Sequence, residues 1–283
     1  MPKVIARSVF VFLFASLASL SAVAQQRPLI TEDVEVVKPG SVRLEFGFDF
    51  TQQKKYPVSG LQGDLSRLGV ASVTFGLAPN VEVEVGGVIH NSLAISRRGA
   101  SAIPLDLKNI NSTSDVGDFF IATKIKARNE TDHIPAIGLR FGVQLPNSNQ
   151  ARGLGLNQTN FFMTALASKT VGKFRVSGNL GLAILTAPTQ LFTQNDLMLY
   201  GLSVVYPLND RVSLLGEVNG RLNTRKTAPL GTESDGEARF GARFKASGLL
   251  WDVSALTGIN KNSIKSGVSF GLTYEGQLFT PAK

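Results

Sequence analysis

Arg239, Arg243 and Lys245 share one parity along a short segment, with Glu217 and Arg221 upstream and Asp252 just beyond. In extended backbone alternate side chains point the same way, so the three cations would project together from one face of a strand. Such a group can take an anion, reject co-ions from a pore, or brace neighbouring strands through ion pairs. Charge balance separates these uses. The same presumed inner face carries Arg43, Lys124, Lys126, Arg140, Arg175 and Arg221 as further cations, against Glu45, Asp49, Glu82, Glu84, Asp118, Glu217, Glu237, Asp252 and Glu275. The two signs cancel. Bracing is therefore the expected role, with substrate binding the alternative, and a pore lined this way would be weakly selective.

Catalytic and metal chemistry find little material. His90-Asn91-Ser92 has the composition of a base with a nucleophile, but nothing in a tripeptide orients the base. His133, beside Asp132, reads as a solvated turn residue. There is no cysteine, which removes thiolate sites, disulfides and a lipoprotein anchor. Gly153-Leu154-Gly155-Leu156 lacks the third glycine of a phosphate loop. No cofactor, metal site or catalytic residue is expected, and the chain is not expected to be an enzyme.

The elements that must carry the charges are strands. Val42, Leu44, Phe46, Phe48 and Phe50 alternate with Ser41, Arg43, Glu45, Gly47 and Asp49. That is period two, with one greasy and one polar surface. The pattern recurs around Val81–Val85, Ala136–Leu145, Glu237–Ala246 and Gly267–Glu275. Less regular strands are expected near 65–77, 116–127, 158–170, 174–185, 196–206, 211–222 and 249–259, so the spacing predicts about twelve. The second of them mixes parity at Arg67 and Val73, which points to a bulge or a later start. Long polar connections alternate with short turns such as Ala78-Pro79-Asn80 and Pro207-Leu208-Asn209-Asp210. Transmembrane barrels alternate in this way, with short periplasmic turns and long outer loops. Tyr200, Tyr206, Trp251 and Tyr274 fall on the presumed lipid face, where aromatic girdles sit.

The N-terminus fits that compartment. Lys3 and Arg7 precede a charge-free run from Ser8 to Leu20, and Ala22-Val23-Ala24 offers a cleavage site. The run is too short to span a bilayer as a helix, so a cleaved signal peptide over 1–24 is preferred to an anchor. Residues 25–40 would form a periplasmic or lumen-inserted segment, 41–279 the barrel, and 280–283 a tail. Both termini are expected in the periplasm. Two charges of the formal +8 leave with the signal. For an exported basic chain, lipopolysaccharide and outer-membrane lipid are nearer partners than nucleic acid.

Several stretches resemble the outer-membrane channel family named for the meta pathway of phenol degradation. They are Arg27-Pro28-Leu29-Ile30-Thr31-Glu32-Asp33, Pro39 to Glu45, Gly76 to Glu82, Asp115-Val116-Gly117-Asp118 and Gly142-Val143-Gln144-Leu145-Pro146. Where this chain has Asp115-Val116-Gly117-Asp118 the family often has Gly-Leu-Gly-Asp. Such a resemblance implies an antiparallel transmembrane β-barrel that passes small aromatic or hydrophobic solutes and carries no catalytic residues. The competing roles are a structural or surface-interaction barrel with a closed lumen and, further off, a lipid-modifying enzyme.

Overall fold

The computed structural model describes residues 26–107, 110–189 and 194–280; the expected signal peptide lies outside the described residues. These residues form β1 (Ser41–Tyr56), β2 (Leu61–Ala78), β3 (Val81–Arg98), β4 (Ser112–Asp115), β5 (Phe120–Arg128), β6 (Ala136–Gln144), β7 (Asn160–Val171), β8 (Phe174–Thr186), β9 (Gln194–Pro207), β10 (Val212–Leu222), β11 (Asp235–Ala246), β12 (Leu249–Gly258) and β13 (Ser266–Gln277). Each strand pairs antiparallel with its neighbours in the chain, except that short β4 leans on β3, which pairs onward with β5. β1 pairs with β13 from Ser41↔Gln277 to Thr51↔Gly267, which closes the ring into a twelve-stranded barrel. Closure leaves no sheet edge, the condition for strands to cross a bilayer.

Alternation sets the two faces. In β1, Leu44, Phe46 and Phe50 are exposed while Arg43, Glu45 and Asp49 are buried. Charged side chains hidden inside and phenylalanines bare outside invert the order of a water-soluble protein. The exposed belt continues through Phe141, Leu180, Leu202, Phe240 and Val268. Trp251 lies on it, and Tyr206 packs against Phe174 with ring centroids 5.0 Å apart.

Several expected boundaries move, and β3, expected to end near Asn91, runs on to Arg98. The first hairpin runs to Tyr56 and resumes at Leu61, so its connection is the tight turn 57–60 rather than a long loop over 51–64. The alternation is interrupted by bulges. Register slips between Thr51 and Lys54, where Gln53 has φ 57°, and again around Gly69, at φ 72°. Each extra residue swaps the faces beyond it, so Arg67 and Leu65 point inward where Thr74 and Ser72 had done. The fourth strand expected over 116–127 is also broken. Residues 116–119 belong to no strand and are held by Gly117 N–H donating to Val88 O and Phe119 N–H to Asn147 Oδ1. Asp118 therefore sits on no strand, and its carboxylate accepts from Gln144 Nε2 at 2.6 Å beside the chamber.

The longer connections follow β3, β6, β8, β10 and β12, and they pack with the β1–β2 turn over one end. Gly99 N–H donates to Gly60 O, Ser59 Oγ to Gly153 O at 2.8 Å, and Asn262 Nδ2 to Ser234 O at 3.0 Å. Beneath them Leu61, Leu65 and Leu93 form an apolar cluster with Tyr56, Ile95 and Leu154.

Candidate functional site: a charged strap inside the barrel

Residues 26–39 have no regular structure and must bond elsewhere. Their partners come from nearly every side of the ring. Glu45 of β1 accepts the Arg27 N–H at 3.0 Å, and Glu82 of β3 accepts that of Val37 at 2.6 Å. Ser168 of β7 accepts from Val34, and Asn179 of β8 from Glu32. Glu217 of β10 takes the adjacent N–H groups of Ile30 and Thr31 at 2.8–3.0 Å. A segment that touches opposite walls of a closed ring runs inside it. It forms a strap around the lumen, pinned on its apolar side by Val34, which is fully buried with Ala136 and Leu166.

Charge fixes the strap's register. Its acidic stretch faces cations: Glu32 lies 3.1 Å from Lys124 and 3.2 Å from Arg140, Asp33 lies 2.7 Å from Arg175, and Glu35 lies 3.0 Å from Lys126. Its one arginine, Arg27, faces anions, with Asp252 at 3.4 Å and Asp49 at 3.9 Å. Burial alone would raise the Asp33 carboxyl. Hydrogen bonds and charge from Arg175, with the Glu35 N–H and the Ser177 hydroxyl, hold it below its ordinary range instead. Burial acts the same way on Glu32, and Lys124 and Arg140 reverse it.

The residues singled out from the sequence divide by what they touch. Arg43 reaches Glu82 at 3.6 Å and stands opposite Glu275 in the β1–β13 register; Glu84 pairs with Arg140 at 2.9 Å. Arg239 pairs with Glu217 at 3.3 Å and with Glu237, and donates to Pro28 O at 2.6 Å. Arg243, opposite Asp252 in register, donates to Arg27 O at 2.6 Å and Gln26 O at 2.9 Å. Two residues go elsewhere. Arg221 donates to Glu233 O and Gly231 O in the 223–234 connection. Lys245 is exposed near the β11–β12 turn and does not join Arg239 and Arg243. The residues that sequence reasoning missed are the strap's own: Arg27, Glu32, Asp33 and Glu35. The signal was their charge order directly before the first strand.

Between strap and loop cap lies a chamber of about 570 Å³. Ile30, Thr31 and Glu32 form its floor. Leu65, Phe162, Ala183, Leu185, Leu199 and Ile264 give it apolar surface, and Lys54, Arg67, Arg140, Arg221, Asp235 and Glu237 give it charges of both signs. Arg140 is also sandwiched by rings, 5.4 Å from the Phe120 centroid and 5.1 Å from that of Phe162. His90 and Ser92 sit on β3 opposite Leu68 and Ser66, away from the chamber lining.

A closed wall, an apolar outer belt and a charge-clamped internal strap define an outer-membrane β-barrel. The family described as "Putative MetA-pathway of phenol degradation" matches residues 27–275, and the chain belongs to it. Similar solved structures include the COG4313 outer membrane channel from Pseudomonas putida F1, with a TM-score of 0.63 at 15% identity over 86% of this chain and 98% of that one. The translocator domain of autotransporter NalP from Neisseria meningitidis follows at 0.47 and 15%, over 83% of this chain and 88% of that one. LpxR from Salmonella typhimurium gives 0.44 and 9%, over 83% and 99%. At such identities the first likeness shows a shared fold, and the other two carry no argument. No curated protein sequence is significantly similar to the chain.

Proposed function

We propose that this protein is an outer-membrane channel for passive uptake of small aromatic or hydrophobic solutes, closed at rest by residues 26–39. The carrying observation is the chamber itself, which lies between strap and loop cap and mixes apolar side chains with paired charges. Pockets of a few hundred Å³ with largely apolar walls and a few polar groups suit small organic molecules. Membership of a family named for phenol degradation and the likeness to the P. putida outer membrane channel support the same reading. In this reading the long connections face outward and both termini the periplasm, as in other transmembrane barrels.

A structural barrel with a permanently closed lumen is the second reading, favoured by the many bonds that hold the strap. Planar bilayers and liposome swelling with the mature protein decide between them. The channel reading expects low conductance in the whole protein and a several-fold rise when residues 26–39 are deleted. A deletion variant that folds, shown by heat-modifiable migration, yet passes no ions or solutes supports the closed barrel.

A further inference from the structure

Beyond the chamber, under the loop cap, lies a second cavity of about 180 Å³. One side is apolar: Val58 from the β1–β2 turn, Leu154 and Leu156 from the 145–159 connection, and Ile103. The other side is polar, with Lys55, Glu233 and Asn262 beside three residues shared with the chamber. Lys54, Arg221 and Asp235 line both cavities, so their side chains form the partition between them. Across it Lys54 Nζ stands 3.1 Å from Asp235 Oδ2, while Arg221 is turned to the carbonyls of Gly231 and Glu233. Both members of the pair are less than a third exposed.

We propose that this outer cavity is a binding site for a neutral amphiphile the size of one six-membered ring bearing a hydroxyl, and that the Lys54–Asp235 pair is its selective inner wall. Size supplies the first half of the argument. An apolar cavity of about 150 Å³ holds one benzene ring, so this space takes one ring and not two. The partition supplies the second. A hydroxyl both donates and accepts, so it can donate to the Asp235 carboxylate while accepting from the Lys54 ammonium. The pair can then part without leaving either charge unpartnered. A hydrocarbon of the same size offers neither bond, and separating the pair around it leaves two desolvated charges.

The proposal rests on the uptake reading, but its test is binding rather than conduction, so the two can fail separately. Phenol, cyclohexanol and toluene are titrated calorimetrically into the mature protein in nanodiscs, with empty nanodiscs as reference. Both alcohols should bind at one site, and toluene about tenfold or more weaker, the worth of a hydrogen bond to a charged group. The double variant Lys54→Met/Asp235→Leu removes both charges together and should bring phenol and toluene affinities together. Leu154→Trp should fill the cavity and abolish binding of all three. In crystals soaked with 4-bromophenol the bromine should lie among Val58, Leu154 and Leu156, with the hydroxyl end of the ring toward Asp235. Toluene binding as tightly as phenol, discrimination that survives the double variant, or bromine confined to the larger chamber would overturn the proposal. Should Leu154→Trp fail to fold, the double variant and the bromine position still decide.

Discussion

Lys124 Nζ lies 3.1 Å from Glu32 Oε2, joining the strap to β5 across 92 residues of chain. The same ammonium lies 2.9 Å from Glu82, and Arg140, the other partner of Glu32, lies 2.9 Å from Glu84. Removing Glu32 therefore leaves both cations with a partner in the wall, whereas removing Lys124 strips one from wall and strap alike. Glu32→Gln should weaken strap docking by about 1.5–3 kcal/mol, the worth of hydrogen bonds to charged groups, and spare the barrel. Lys124→Met should lower both. Limited proteolysis of the strap reads the first quantity, and urea unfolding in lipid the second. Equal unfolding midpoints for the two variants would refute this division.

The strap also titrates. Asp33 and Glu32 are both held below the ordinary carboxylate range, so they favour docking. For a depressed carboxyl that contribution is fully present above the unfolded value of about 4 and is lost as pH falls through the folded value. Conductance, or strap proteolysis, should stay constant from pH 7 to about 5 and rise on further acidification. Asp33→Asn should remove the Arg175 share of this response and raise the level at neutral pH. A strap equally protected at pH 7 and pH 3 would contradict it.

Period two made most of this wall legible, and its failures have local causes. From β6 onward the expected strands agree with the observed ones to within a few residues, because short turns reset each strand before an irregularity can accumulate. At Gln53 and Gly69 one extra residue exchanges the faces, so parity counted from Phe50 gives the wrong answer for Lys54. Asp118 was misplaced on a strand because the residues around it are held by a loop asparagine, Asn147, which no pattern in 116–127 reveals. The strap was the least legible part. Its site exists only once Glu45, Lys124, Arg175, Glu217 and Arg239, from five strands spread along the chain, have closed into one ring.

The outer belt gives a stability test. Phe240 is 66% exposed and Phe141 41%, each next to an inward arginine. An Arg at either phenylalanine should cost about 2–4 kcal/mol near the bilayer midplane. Thr164, which faces the chamber, should accept Gln within about 0.5 kcal/mol. Urea titration of folded barrels in vesicles measures all three. A neutral Phe240→Arg would mean that lipid does not touch this face.

Arg239 and Arg243 carry the last prediction, where sequence and structure lead to different outcomes. As members of an open path with Lys245 they would tune selectivity, and replacing all three would favour cations. In the structure Arg239 and Arg243 instead hold the strap through the carbonyls of Gln26, Arg27 and Pro28, and Lys245 stands apart. Arg239→Gln/Arg243→Gln should therefore raise conductance toward that of the strap deletion. Lys245→Gln alone should change nothing. Cation-to-anion permeability should stay near unity once the strap is free, because the wall keeps its own mixed charges, Arg43, Lys124 and Arg140 against Glu45, Glu82 and Glu84, when Glu32 leaves with the strap. Reversal potentials under a salt gradient separate the two outcomes. A shift toward cations at unchanged conductance would put the arginines on an open path; a rise in conductance at constant selectivity would make them the strap's anchors.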